Sequence, residues 1–215
     1  MKIWIENAVI VDGTGKDRFK GYVGIKDERI ASVCRDLTPK EVENYRKNAD
    51  QVIDATGLFL APGFIDTHSH SDLKVLSEPE LLPKLHQGIT TEVLGQDGIS
   101  MAPLPTQYIE PWKKNLAGLD GTDDDLDWNY ETTKNYLKMI EDVKPALNEA
   151  YLLPHGNVRM EAMGLSNRPA TKEDIEKMCE ITRREMEAGC IGLSSGLIYM
   201  PCAYSKTEEL IEMCK

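Results

Sequence analysis

The sequence predicts an α/β fold in which a small β-sandwich domain, residues 1–60, precedes a parallel sheet of about four βα units, residues 61–215. Short strands separated by tight turns fill the first region, which is typical of a small all-β domain. Strands then alternate with helices, which is typical of a parallel sheet. Each later strand ends in polar or glycine-rich residues, and α/β barrel enzymes carry their functional groups at that edge of the sheet.

The first domain is predicted from apolar stretches that are interrupted by turn signals. Its first strand ends at the turn sequence Asp12-Gly13-Thr14-Gly15, and a polar stretch after the third strand has helical tendency. The predicted strands are 3–11, 22–25, 29–33, 51–54 and 58–60, and the helical stretch is 39–48.

The elements of the second region follow from apolar periodicity and from capping signals. Two of its helices open with capping sequences, Thr171 with Asp174 and Ser205 with Glu208. The predicted strands are 64–66, 88–94, 150–153 and 190–193, and the predicted helices are 79–87, 130–144 and two that start at 171 and 205.

A long segment, residues 100–129, separates the second and third βα units and has no regular pattern. It contains the acidic run 120–127. A lid over a functional site and a solvated surface insertion both explain such a segment, and both interpretations stay open.

The most informative motif is Ala61-Pro-Gly-Phe-Ile-Asp-Thr-His-Ser-His-Ser-Asp72, an apolar strand that ends in Asp66, His68 and His70. Side chains at positions i, i+2 and i+4 of a strand point to one face, so these three groups leave the strand on the same side. Imidazole nitrogens and a carboxylate oxygen suit zinc and similar ions. The motif therefore predicts a metal site; the alternative is two surface histidines beside a loop.

Composition excludes several classes of protein. The formal net charge is -11 and the pI about 4.9, which argues against a nucleic-acid-binding protein. No apolar run is long enough to span a membrane, and the first residues lack the pattern of a signal peptide. The cysteines number five and show no Cys-x-x-Cys spacing, which predicts reduced thiols. We therefore expect a cytoplasmic protein that binds neither nucleic acid nor membrane.

Four stretches together resemble the N-terminal part of the D-aminoacylases, the N-acyl-D-amino-acid deacylases of the amidohydrolase superfamily. They are residues 61–70, 87–100, 155–159 and 192–201. The resemblance implies a metal-dependent amidohydrolase (β/α)8-type barrel, of which about the first four βα units are present. It also implies one or two divalent metal ions, with zinc expected, and hydrolysis of an N-acyl-D-amino acid to a carboxylate and a D-amino acid.

The same resemblance assigns the metal ligands. His68 and His70 match the paired histidines after the first barrel strand, and Asp66 matches the acidic position beside them. Asp97 stands where some relatives carry a bridging cysteine. An aspartate can also ligate or bridge a metal; the alternative is a turn residue between two glycines.

Three further residues are assigned to the substrate. Tyr199 matches a family tyrosine near the substrate carboxylate, although a packed tyrosine is an equal alternative. His155 and Arg159 follow the third strand of the barrel region and are expected to face the site. For His155, a structural hydrogen bond is the alternative.

The resemblance places the remaining histidine ligands and the catalytic aspartate beyond Lys215, so no catalytic residue is identified in this chain. A complete barrel typically has about 250 residues, whereas about 155 follow residue 60 here. We therefore expect the chain alone to be inactive. Its partner is either a second chain that carries the C-terminal half, or another copy bound through exposed sheet edges.

Two other functions remain open. A cyclic-amide hydrolase, such as a dihydroorotase or a hydantoinase, shares the His-x-His strand end but usually has a carboxylated lysine after the fourth strand. Here that strand ends in Leu193-Ser194-Ser195, which favours the deacylase. The other alternative is a non-catalytic half-barrel fragment.

Overall fold

The computed structural model describes residues 1–123 and 125–215. They form two compact units, Met1–Gly63 and Phe64–Lys215. In the part of the chain that is described, no helix has the length and apolar character that crossing a membrane requires. The acidic run of residues 120–127 includes Asp124, which lies outside the described residues.

The first unit is a five-stranded mixed sheet. Its strands are β1 (Lys2–Ile10), β2 (Phe19–Lys26), β3 (Arg29–Cys34), β4 (Gln51–Asp54) and β5 (Phe59–Leu60). The order is β3-β2-β1-β4, and β5 also pairs with β1. Neighbours among β1, β2 and β3 are antiparallel, whereas β4 and β5 run parallel to β1. All five predicted strands are present, and they lie in one sheet.

Helix α1 (Pro39–Asn48) has the predicted bounds and begins at a capping box between Thr38 and Glu41. It is attached to the sheet by a stack of Tyr45 on Trp4, with ring centroids 4.2 Å apart. Part of the sheet surface is an apolar depression of about 320 Å³, whose lining includes Ile25 and Ile30.

The second unit contains a curled, four-stranded parallel sheet in the order β6-β7-β8-β9. These strands are β6 (Phe64–Asp66), β7 (Ile89–Leu94), β8 (Asn148–Pro154) and β9 (Gly192–Ser194). The predicted parallel sheet is therefore confirmed. The helices are α2 (Lys74–Ser77), α3 (Leu82–Leu85), α4 (Ile109–Leu116), α5 (Thr133–Val143), α6 (His155–Met163), α7 (Lys172–Ala188) and α8 (Thr207–Met213).

The sheet of the second unit shares one hydrophobic core with its helices. Leu94, Tyr151 and Leu153 are buried in one core with helix residues such as Tyr136 and Ile181. The edge strands remain open, because Phe64 is 67% exposed, Ile65 62% and Ile191 61%. Both edge strands therefore present apolar side chains at the surface of this unit.

Two sequence-based assignments need correction, and one helix was not predicted. The predicted helix 79–87 is only the four-residue α3, and the short α2 precedes it. Segment 100–129, predicted to be irregular, contains helix α4. His155 follows β8, as predicted, and is the first residue of α6, for which no helix was predicted. The α6 sequence includes glycine and asparagine, which disfavour helices, so tertiary burial of Val158 and its neighbours decides this element.

The two predicted capping boxes have different outcomes. The Thr171 hydroxyl accepts a hydrogen bond from Asp174 N at 3.2 Å, and the Asp174 carboxylate accepts one from Thr171 N at 2.8 Å, so that box is confirmed. The prediction of a capping box at Ser205 is wrong. The Ser205 hydroxyl donates instead to the Cys202 carbonyl at 2.6 Å, and α8 begins at Thr207 with no side-chain cap.

Candidate metal centre

His68 and His70 extend from the end of β6 towards Asp97, which follows β7. Oδ2 of Asp97 lies 3.3 Å from Nε2 of His70 and 3.7 Å from Nε2 of His68. The three ligand atoms lie within 4.8 Å of one another. Two atoms that each bind one zinc ion at about 2.1 Å are separated by roughly 3–4 Å. The donor types and spacing therefore fit a divalent cation.

Asp97 has its orientation because the chain after β7 turns through left-handed backbone. Asp97 has a φ of 57°, and Gly95 and Gly98 have φ values of 76° and 72°. The Gln96 side-chain amide donates to the carbonyls of Thr67 at 2.9 Å and Val93 at 3.0 Å, which ties this turn to the end of β6. Asp97 is thus both a turn residue and a neighbour of the two histidines.

The turn is also packed tightly against the ends of β8 and β9. A Cβ atom added at Gly95 would lie 2.1 Å from the Leu152 carbonyl oxygen, and one at Gly196 would lie 2.3 Å from the Asp97 carbonyl oxygen. The Ser194 hydroxyl accepts from Gly98 N at 3.1 Å and donates to the Gly95 carbonyl. Only glycine fits these approaches, so the position of Asp97 is fixed by backbone packing.

Asp66 is not brought into this group. Its Oδ2 accepts a hydrogen bond from Nζ of Lys84 at 2.9 Å, and its Oδ1 accepts one from His68 N at 3.3 Å. Burial alone raises the pKa of Asp66, but these two hydrogen bonds outweigh it and hold the pKa below its usual value. The structure thus shows Asp66 supporting the His68 backbone, and its assignment as a metal ligand stays a prediction.

Lys84 also contacts Ser69 and Glu92, so a buried charged network lies beneath the histidines. Asp66 on β6, Glu92 on β7 and Glu149 on β8 are register partners across the sheet. Burial, and then the charge of Glu92, raises the pKa of Glu149 to about 8. Sequence reasoning missed this network, although Glu92 inside a β-branched strand was a visible signal.

A second group of ligand atoms lies on the other side of His70. Nδ1 of His70 is 3.9 Å from Oδ1 of Asp120, and an oxygen of Asp72 lies within 4.8 Å of both. Burial raises the pKa of Asp72 to about 6, and burial together with the charge of Asp72 raises the pKa of Asp120 to about 8. Asp72 continues the His-x-His pattern by two residues. Asp120 had no sequence signal, since an acidic run normally indicates a solvated surface.

His155 and Arg159 are fully buried and both bind Glu209 of α8. Nε2 of His155 donates to Glu209 at 2.7 Å, and its Nδ1 lies 3.0 Å from the hydroxyl of Ser195. Burial alone raises the pKa of Glu209, but its bonds to His155 and Arg159 outweigh this and lower it. These contacts fix the chain after β9, and the assignment of both residues to substrate binding stays a prediction.

Tyr199 lies in the segment after β9 and is partly buried against the core of the second unit. Its backbone N–H donates to the Gly196 carbonyl at 3.0 Å. Gly196 itself lies against Asp97, so Tyr199 belongs to the surroundings of the metal group. Within residues 1–123 and 125–215, no hydrogen-bond partner of the Tyr199 hydroxyl is observed. The ring is packed while the hydroxyl remains available.

Comparison with known proteins gives a consistent family relationship. The sequence model of the Amidohydrolase family matches residues 51–212. The D-aminoacylase of Alcaligenes xylosoxydans xylosoxydans is 34% identical over 211 residues, which are 98% of this chain and 41% of that protein. The chain therefore spans about two fifths of the length of this curated relative.

Two solved structures resemble the chain over nearly its whole length. A D-aminoacylase with a binuclear metal centre superposes with a TM-score of 0.83 at 33% identity, covering 99% of this chain and 42% of that one. The N-acyl-D-glutamate deacylase from Bordetella bronchiseptica, complexed with zinc and a phosphonate inhibitor, gives a TM-score of 0.82 at 33% identity. That match covers 98% of this chain and 41% of the deacylase.

Proposed function

The chain belongs to the amidohydrolase family, and from this membership we propose that it supplies the first half of a metal-dependent site that hydrolyses N-acyl-D-amino acids. The products are a carboxylate and a D-amino acid. The observation that carries the proposal is the triangle of His68, His70 and Asp97 at the carboxyl edge of a parallel sheet. The relatives named as D-aminoacylase and N-acyl-D-glutamate deacylase supply the substrate class.

We propose that His68, His70 and Asp97 hold the metal, with zinc as the ion. Two neutral imidazoles and a carboxylate are a common zinc ligand set. When bound, such an ion lowers the pKa of a coordinated water to about 7 and polarises a substrate carbonyl. Asp66 keeps the backbone of His68 in place through its hydrogen bond, and Lys84 keeps Asp66 ionised.

On the substrate side, we propose that the Tyr199 hydroxyl donates a hydrogen bond to the substrate carboxylate. In support, the ring is packed against the core and the hydroxyl is free of partners among the described residues. His155 and Arg159 hold Glu209, and the contact of His155 with Ser195 steadies the segment that carries Tyr199. In this proposal, His155 and Arg159 affect substrate binding only by holding this segment in position.

We further propose that β6 to β9 represent the first four βα units of a (β/α)8 barrel, and that the sheet of the first unit is one layer of a small β-sandwich. The open edges at Phe64 and Ile191 support completion of the barrel by further strands. The apolar depression in the first unit supports a second layer there. Those strands come from a second chain or from a longer polypeptide, and self-association through the same edges is the alternative.

The cyclic-amide hydrolase alternative gains no support at β9. Ser194 and Ser195 stand at the end of that strand, where such hydrolases usually have a carboxylated lysine. Ser194 is instead committed to hydrogen bonds with the turn that carries Asp97.

The direct test is enantiomer-specific hydrolysis by a protein that contains this chain and the later strands. Paired N-acetyl-D- and N-acetyl-L-amino acids are offered, and release of the free amino group is measured before and after metal chelation. We expect release from the D substrate only, with loss on chelation and recovery with Zn²⁺. Equal release from both enantiomers, or activity that withstands chelation, would refute the proposal.

A further inference from the structure

We propose that His70, Asp72 and Asp120 form a second divalent-cation site, on the Nδ1 side of the imidazole whose Nε2 faces Asp97. The proposal goes beyond the deacylase function and does not depend on it. One first-row divalent ion, Zn²⁺ or Mn²⁺, is held there by Nδ1 of His70 and two carboxylates. When Nε2 of His70 also binds an ion, the ring proton is released to water, because a neutral imidazole has only one free lone pair.

The spacing of the three residues suits a shared ion. Nδ1 of His70 lies 3.9 Å from Oδ1 of Asp120, which is too long for a direct hydrogen bond. Two atoms that share an ion at about 2.1 Å lie roughly 3–4.2 Å apart. An Asp72 oxygen completes a group whose members all lie within 4.8 Å of one another.

Three of the four carboxylate oxygens of Asp72 and Asp120 have no hydrogen-bond partner among the described residues. Both oxygens of Asp120 and Oδ2 of Asp72 are buried and make no hydrogen bond to any described residue. The other Asp72 oxygen, Oδ1, accepts from Gly95 N at 2.8 Å and from Ser100, which orients the free oxygen. Buried carboxylates without partners are strongly disfavoured unless a cation or a proton compensates them.

The chain itself supplies no compensating side chain. Among the described residues, the only lysine, arginine or histidine nitrogen within 4.0 Å of the Asp120 carboxylate belongs to His70. The Asp120 side chain is 1% exposed and Asp72 is equally buried, so the burial comes from residues of this chain. A lysine or arginine from another polypeptide therefore has no surface through which to reach them. A small ion can enter beside His70, whose side chain is 21% exposed.

The test removes the first metal group and asks whether metal remains. Apo-protein is prepared by chelation, and Asp97→Asn is compared with the double variants Asp97→Asn/Asp120→Asn and Asp97→Asn/Asp127→Asn. Asp127 is an exposed carboxylate of the same segment, so it matches the charge change. After dialysis against Zn²⁺, zinc per chain is measured by elemental analysis, and folding is checked by circular dichroism.

We expect Asp97→Asn and the Asp127 control to retain about one equivalent of zinc, and the Asp120 double variant to lose it. Absence of zinc from Asp97→Asn, or equal zinc in all three proteins, would overturn the site. A second readout needs no Asp120 variant. Mn²⁺ bound to Asp97→Asn should show spin-echo modulation from one directly coordinated imidazole nitrogen, and a spectrum without nitrogen coupling would also overturn it. Both experiments measure metal binding without substrate. Their results therefore test this site even if the deacylase proposal is wrong.

Discussion

Oδ2 of Asp97 lies 3.3 Å from Nε2 of His70, although the two residues follow different strands of the parallel sheet. The approach depends on the left-handed turn after β7, which directs the carboxylate towards the end of β6. Gly95 begins this turn in direct contact with the backbone of β8. The geometry of the metal group is therefore set by backbone packing at one edge of the sheet.

Gly95→Ala tests that packing. An added Cβ would lie 2.1 Å from the Leu152 carbonyl oxygen, at a φ of +76°. We expect the free energy of unfolding to fall by about 2–5 kcal/mol, because a left-handed alanine costs roughly 1–2 kcal/mol and overpacking roughly 1–3 kcal/mol. Gly121→Ala is the matched control, since Gly121 has a φ of +78° with nothing within 4 Å. Equal losses in urea denaturation would contradict the packing argument.

Lys84→Met tests the charged network beneath the histidines. The substitution leaves Glu92, whose side chain is 0% exposed, without its cation. Breaking such a buried pair should destabilise the protein by about 3 kcal/mol. Lys74→Met removes an exposed i,i+4 pair with Glu78 and should cost less than about 0.5 kcal/mol. Similar urea midpoints for the two variants would show that Lys84 contributes no more than a surface lysine.

Glu149→Gln should change how stability depends on pH. The pKa of Glu149 in the folded protein is raised to about 8, above the value of 4.5 for an unperturbed glutamate. The folded state therefore binds more protons between these values, and this group's stabilising contribution is lost as pH rises through 8. The slope should stay below about 1.4 kcal/mol per pH unit, because a single carboxyl group exchanges at most one proton.

The measurement is urea unfolding of the wild type and Glu149→Gln between pH 5 and pH 9. The glutamine has no proton to lose, so the variant should gain stability relative to the wild type as pH rises. Parallel pH profiles would rule out Glu149 as the titrating group.

The sequence predicted the strands and the two histidines because both follow short-range rules. The motif pointed to His68 and His70, but β6 ends at Asp66, so strand alternation does not extend to the histidines and Asp66 is not in their group. The capping box at Thr171 formed as expected. The capping box predicted at Ser205 did not form, because the Ser205 hydroxyl donates a hydrogen bond to a carbonyl of the preceding turn. Asp120 could not be predicted, since its burial depends on how a segment without periodicity packs against His70.

Tyr199→Phe should lower kcat/KM about tenfold or more in a protein that also contains the later strands. The change removes the hydroxyl and leaves the packed ring, and one hydrogen bond to a charged group contributes roughly 1.5–3 kcal/mol. Tyr204→Phe, in the same segment, is the control and should leave kcat/KM unchanged. Steady-state hydrolysis of one N-acetyl-D-amino acid gives kcat/KM for both variants. An unchanged kcat/KM for Tyr199→Phe would show that Tyr199 contributes packing and no hydrogen bond to the substrate.

The central claim is that this chain supplies half of a deacylase site, and complementation tests it most directly. Residues 1–215 are assayed for D-amino acid release alone and after addition of a polypeptide that carries the later strands. We predict no turnover by the chain alone, turnover with the added polypeptide and Zn²⁺, and no turnover when His68→Ala replaces the wild-type chain. Turnover by residues 1–215 alone, with mass spectrometry excluding a longer contaminant, or full activity with His68→Ala, would contradict the account.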